Sequence, residues 1–212
     1  RDLHSFPTRR SSDLEPEHTL KAGSFGIGLE TYWEQFEGLK ERLETNIKEV
    51  AGKLHNSDQG VEIINLGLID SPQKAFEAGH RFRQSDVDII FLYITTYALS
   101  STVLPVVQRA KVPVIILNLS PGPAINYEWF NNLDDRIKMT GEWLAYCLAC
   151  PVPEIANVFK RTGIRFFQVT CMLHNDVECW KEIHHWIEAA KVANIMSGSR
   201  SEERRVGKEC RS

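Results

Sequence analysis

Two stretches constrain this chain more than any others. Asp88–Thr95 (DIIFLYIT) and Val112–Leu119 (VPVIILNL) are apolar runs of strand length with almost no alternation. A strand with one wet face alternates, whereas an unbroken run is buried on both faces, as in a parallel sheet covered by helices. Between them Ser101–Ala110 reads as a helix with Pro105 in its first turn, where the missing N–H of proline is not needed. The alternation continues in both directions. Lys21–Gly28 and Val61–Leu68 read as strands, and Thr31–Leu54 carries a helical stripe from Trp33 and Phe36 through Leu39, Leu43, Ile47 and Val50 to Leu54. A further helix opens at Pro72 after Asp70-Ser71, a capping arrangement. Downstream, Lys138–Ala149, Pro153–Arg161 and Asp176–Ile195 read as helices and Arg165–Thr170 as a strand, while Gly122–Leu133 is irregular and aromatic. The pattern predicts an α/β fold, a parallel open sheet of about five strands with helices on both faces, Rossmann-like or flavodoxin-like.

Composition narrows the class. At 42% hydrophobic over 212 residues, the chain has enough apolar mass for a core. No run approaches the ~20 apolar residues of a membrane-spanning helix. With 25 Lys+Arg against 28 Asp+Glu, the balance is not the basic one of nucleic-acid binders. No secretion signal is read at the start. The 5 cysteines form no repeating framework, so a reduced, cytoplasmic chain is expected.

The two ends read differently from the rest. Arg1–Leu14 (RDLHSFPTRRSSDL) and Arg200–Ser212 (RSEERRVGKECRS) are polar, basic and aperiodic. A single DNA string encodes the first, and its reverse complement encodes the second. They resemble translated sequencing-library adapter, so both are expected to be unstructured and are set aside from fold reasoning. The α/β domain is therefore placed at 15–199, a truncated part of a longer chain.

Ligands of open parallel sheets sit beyond the carboxyl ends of the strands, near the point where strand order reverses. That rule selects Glu30, Tyr32 and Trp33 after the first strand, Thr95, Thr96 and Tyr97 after the third, and Asn118 with Ser120 after the fourth. These groups hydrogen-bond hydroxyls or stack on sugar rings. Other motifs carry less. Gly26-Ile27-Gly28 lacks the third glycine of a dinucleotide fingerprint, and bulky Tyr32 and Trp33 follow, so a tight strand-to-helix turn is favoured. Cys147 and Cys150 close a helix rather than open one, and read as buried structural cysteines. Cys171, His174, Asp176, Cys179, His184 and His185 are not expected to bind a metal: Asp176 reads as a helix-start acid and the histidines as a partly solvated face.

Three stretches carry a resemblance: Phe25–Glu44 (FGIGLETYWEQFEGLKERLE), Phe91–Pro121 (FLYITTYALSSTVLPVVQRAKVPVIILNLSP) and Lys138–Phe159 (KMTGEWLAYCLACPVPEIANVF). They resemble the N-terminal part of the L-arabinose isomerase family, in its divergent arabinose-isomerase-like bacterial branch. The resemblance implies a cytosolic, Mn2+-dependent aldose–ketose isomerase that works as a homo-oligomer on a small sugar. It also implies that two glutamates and two histidines of later domains hold the metal, so no catalytic or metal-binding residue is expected here. In the family, the N-terminal domain contributes polar side chains that close the sugar site of a neighbouring subunit. The residues expected to make the substrate contacts are those the strand-end rule selects, Glu30, Tyr32, Trp33, Thr95, Thr96, Tyr97 and Asn118. Two departures bear on sugar choice. Gly28-Leu29-Glu30 stands where the family usually reads Gly-Ser-Gln, and Asn118 stands where it usually has histidine. The alternative is a non-catalytic sugar-binding or sensing α/β domain.

Overall fold

The computed structural model describes residues 19–58 and 60–209, with side chains through Ser197. The adapter-like stretch 1–14 lies outside the described residues. The strands are β1 (Leu20–Ile27), β2 (Val61–Ile69), β3 (Ile89–Tyr93), β4 (Val114–Ser120) and β5 (Phe166–Met172). They form one 5-stranded sheet in the order β2-β1-β3-β4-β5, with every pairing parallel. This is the doubly wound order whose reversal falls between β1 and β3. All the residues of β3, and those of β4 up to Leu119, are buried, as their unbroken apolar runs require.

The helices are α1 (Leu39–Ser57), α2 (Pro72–Gln84), α3 (Leu104–Ala110), α4 (Tyr127–Asn131), α5 (Arg136–Tyr146), α6 (Pro151–Arg161) and α7 (Val177–Glu209). One sheet face packs Phe25, Ile90, Leu92 and Ile116 against α2, α3 and α6 through Phe82, Val106 and Phe159. The other packs Phe91, Tyr93 and Ile115 against α1 and α7 through Ile47, Val50, Ile183 and Ile187. Each large side chain so buried contributes about 1.5–3 kcal/mol, so the two apolar layers hold the sheet. Helices α2 and α3 approach closely enough that a Cβ on Gly79 would lie 2.8 Å from the Pro105 carbonyl oxygen. Ser71 caps α2 as expected, its hydroxyl accepting from the Lys74 N–H at 3.4 Å.

The structure departs from the sequence reading in five places. The stripe expected to be helical from Thr31 instead opens with a 3-10 turn at Glu30–Tyr32, and α1 begins only at Leu39. Gly38 is in the left-handed conformation at φ 78°, which breaks the helix and frees Trp33 and Phe36 to pack beyond the strand ends. Within the irregular segment, Asn126 caps α4 by accepting from the Trp129 N–H at 3.0 Å. Helix α7 continues through Glu209 into the stretch expected to be unstructured; its Glu and Arg residues favour helix and no proline interrupts it. Finally, Cys171 and Cys179 are joined by a disulfide, with Cα atoms 5.9 Å apart, where thiols were expected. The end of β5 and the first turn of α7 bring them within bonding reach. Cys147 is buried as read, but Cys150 is exposed because it lies in the link between α5 and α6. Among the described residues no helix is long and apolar enough to cross a membrane.

Candidate functional site

The site grows from the reversal between β1 and β3, where α1 leaves over one face and α3 over the other. The turn after β1 is pinned to β2: Gly28 N–H donates to Ile69 O at 3.0 Å and Glu30 N–H to Asp70 O at 3.1 Å. The Asp70 side chain completes the anchor. It is only 2% exposed, and its Oδ2 accepts from the Trp33 indole N–H at 2.9 Å. Lys74 Nζ lies 2.7 Å from its Oδ1, an ion pair whose alignment falls short of a hydrogen bond. A buried carboxylate has to be paired, and here the pairing ties β2, α2 and the β1 turn together. Sequence reasoning treated Asp70 only as part of a helix start; the tryptophan 37 positions away gave no local signal.

Above this anchor sits an aromatic cluster. Tyr32, Trp33, Phe36, Tyr97 and Tyr146, all partly buried, pack on Leu39, Leu43, Leu144 and Ala145. Tyr32 meets Trp33 edge-on at 6.2 Å and Phe36 at 5.8 Å between ring centres, the favoured geometry for such pairs. Arg42 braces the far side. Its Nη1 donates to both Glu142 carboxylate oxygens at 2.8 Å, and its guanidinium lies 5.6 Å from the Tyr146 ring centre. Burial, helped by the neighbouring Tyr97 and Cys147, holds the Tyr32 hydroxyl above its ordinary pKa. It therefore stays protonated at neutral pH, able to donate and to accept. Burial and neighbouring Cys150 push the Cys147 thiol up to about 12, so it is no nucleophile at this rim.

The predicted site residues divide by burial. Tyr32, Trp33 and Tyr97 are half-buried and cluster on the rim, and exposed Glu30 lies in the turn that leads into them. Thr95 and Thr96 do not face the rim. They are 1% and 0% exposed; Thr95 Oγ1 donates to Ile27 O, and Thr96 Oγ1 donates to Leu144 O at 2.8 Å. Both hydroxyls satisfy buried carbonyls, so they build the rim rather than line it. Trp33 likewise gives its only polar hydrogen to Asp70 and offers just its ring. Asn118 is 8% exposed and lies one strand beyond β3, on the face covered by α2, α3 and α6. Beside the rim, the Glu34–Gly38 turn, α1 and the α4–α5 segment enclose a groove of about 590 Å³ that includes Trp129.

Two groups of side chains come together as metal ligands would: Cys171, Asp176 and Cys179, and Asp58, His184 and Glu188. Neither fits a manganese centre for sugar at this rim. The first has its sulfurs in a disulfide. In the second, Lys191 pairs with Asp58 and lies 3.5 Å from Glu188, so an ammonium already neutralises the acids. Asp58 also precedes β2, at the opposite end of the strands from the rim.

No protein family matches the chain, and no curated protein matches it. Among solved structures, a Bacteroides fragilis protein provisionally named an acylhydrolase overlaps it with a TM-score of 0.41 at 11% identity, covering 82% of this chain and 87% of that one. An overlap that loose carries no argument about function.

Proposed function

We propose that this chain is the sugar-contacting N-terminal part of a metal-dependent aldose–ketose isomerase of the L-arabinose type. The observation that carries the reading is the packing of half-buried Tyr32 and Tyr97 into one cluster at the β1/β3 reversal, with exposed Glu30 two positions before Tyr32, on residues that also carry the family resemblance. Half-buried aromatic faces stack on the C–H surface of a sugar, and a carboxylate beside them accepts from its hydroxyls. Moving a proton between adjacent sugar carbons needs an acid/base group and polarisation of the sugar oxygens. In this reading the part of these residues is to bind and orient the sugar. Its expected metal, homo-oligomeric assembly and cytoplasmic setting belong to the same proposal.

Titration calorimetry with L-arabinose tests it. The chain is expected to bind saturably, and Glu30→Ala to weaken binding about tenfold by removing a charged hydroxyl acceptor while leaving the thermal midpoint within about 2 °C. Equal binding by wild type and Glu30→Ala would remove Glu30 from the site; no binding by either would end the sugar reading.

A further inference from the structure

Strands of a parallel sheet are covered on both faces and read as apolar throughout, yet the carboxyl half of the β4–β5 pair breaks this rule. Register places Ile116 opposite Gln168 and Asn118 opposite Thr170. Side chains two apart share a face, so Asn118, Gln168 and Thr170 stand on the face whose core includes Val114 and Ile116. Helix α6 covers the other half of β5 on this face, where Phe159 meets Phe166 at 5.6 Å. Past that contact Gln168 and Thr170 are exposed.

The three side chains are already bonded to one another. Asn118 Nδ2 donates to Thr170 Oγ1 at 3.4 Å, and Gln168 Nε2 donates to the same oxygen at 2.7 Å. A threonine hydroxyl has two acceptor positions and one donor. With both acceptor positions taken, the Thr170 O–H is left as the donor that can serve a ligand. Each amide that gives its N–H to Thr170 keeps a carbonyl oxygen as acceptor. The ladder therefore offers acceptor, donor, acceptor, stepping from Asn118 on β4 across to Thr170 and then along β5 to Gln168.

We infer that Asn118, Thr170 and Gln168 form a polyol-binding ladder, taking adjacent hydroxyls of an extended sugar or sugar alcohol across the edge strand. Neighbouring hydroxyls each donate and accept, so three of them match the ladder's alternation. The aromatic rim has no such alternation, because Thr95 and Thr96 have given their hydrogens to backbone carbonyls. The inference rests on the sugar reading and extends it from the β1/β3 reversal to β5. Ordinary strand spacing puts Asn118 about 10 Å from the end of β1, so ladder and aromatic rim hold different parts of a ligand.

The test is an NMR titration of the 212-residue chain with ribitol, an open-chain polyol, following the side-chain amide signals of Asn118 and Gln168. Saturable shifts of both are expected, with binding weakened about tenfold in Thr170→Val and in Gln168→Leu, the loss of one or two ligand hydrogen bonds. Both positions are exposed, so the variants fold, which thermal melting verifies. Unchanged ribitol affinity in both variants, with Glu30→Ala still weakening L-arabinose, would overturn the ladder and leave the sugar reading intact. Absence of any saturable shift with ribitol, while L-arabinose binds, would overturn it equally. Failure of both ligands on the wild-type chain would overturn both readings.

Discussion

The centre of the sheet and its β5 edge use the same residue types for opposite purposes. At the centre, Thr95 and Thr96 are buried and bonded to carbonyls of Ile27 and Leu144, so their hydroxyls close the structure. At the edge, Thr170 collects two amides and remains exposed, so its hydroxyl is left for something else. Aromatics divide likewise. Phe82 is 0% exposed under β1, whereas Phe167 on β5 is 49% exposed and stacks on Trp186 at 4.2 Å. The difference teaches that a polar residue at a strand end is a ligand contact only if the fold has not already taken its hydrogens. Position on the rim is not enough.

The largest effect expected from this contrast is on core packing. Phe82→Ala is expected to cost about 3–5 kcal/mol, and Phe167→Ala about 1 kcal/mol, mostly its ring contact. Urea unfolding of the two variants measures both, and equal losses would dissolve the distinction between centre and edge. The hydroxyls come next. Thr96→Val leaves the Leu144 carbonyl without its partner and is expected to cost about 1–3 kcal/mol, against no more than about 0.5 kcal/mol for Thr170→Val. A Thr170→Val loss as large as that of Thr96→Val would make the ladder a structural element.

The smallest effect lies at the opposite end of the strands, in the tie between α7 and the approach to β2. The Lys191 ammonium bonded to Asp58, helped by the Gly60 N–H, holds the Asp58 carboxyl down to about 2. A depressed carboxyl stabilises the fold above its unfolded pKa of ~4 and loses that contribution as pH falls towards 2. Lys191→Met is therefore expected to lower stability by about 1 kcal/mol at pH 7 and by progressively less below pH ~4. Denaturation at several pH values reads the trend; a difference constant down to pH ~2 would assign the loss to packing.

Much of the fold was legible because burial on both faces leaves short unbroken apolar runs, and strand length with β-branched residues separates them from buried helix. DIIFLYIT and VPVIILNL fall on β3 and β4, and Ser71-Pro72 marks the start of α2. The start of α1 was not legible. Trp33 and Phe36 continue the stripe of Leu39 and Leu43, and only the left-handed Gly38 separates them. The site was legible as a set of loops but not as a set of available groups. Thr96 meets Leu144 across 48 positions and Thr95 meets Ile27 across 68, and no local pattern announces such partners. Gln168 and Thr170 went unnoticed because alternating polar residues in a short strand look like an ordinary wet face. Only the register with Asn118 shows that they meet a polar side chain of β4 on the same face.

The most direct test of the central claim is a residue-resolved NMR titration of the chain with L-arabinose. The account predicts saturable shifts in the backbone amides of Glu30–Trp33, Tyr97 and Asn118, sharing one dissociation constant, with Thr95 and Thr96 side chains keeping their bonds. Shifts that do not saturate, or that fall around α7 and leave the β1 and β3 ends unmoved, would contradict it.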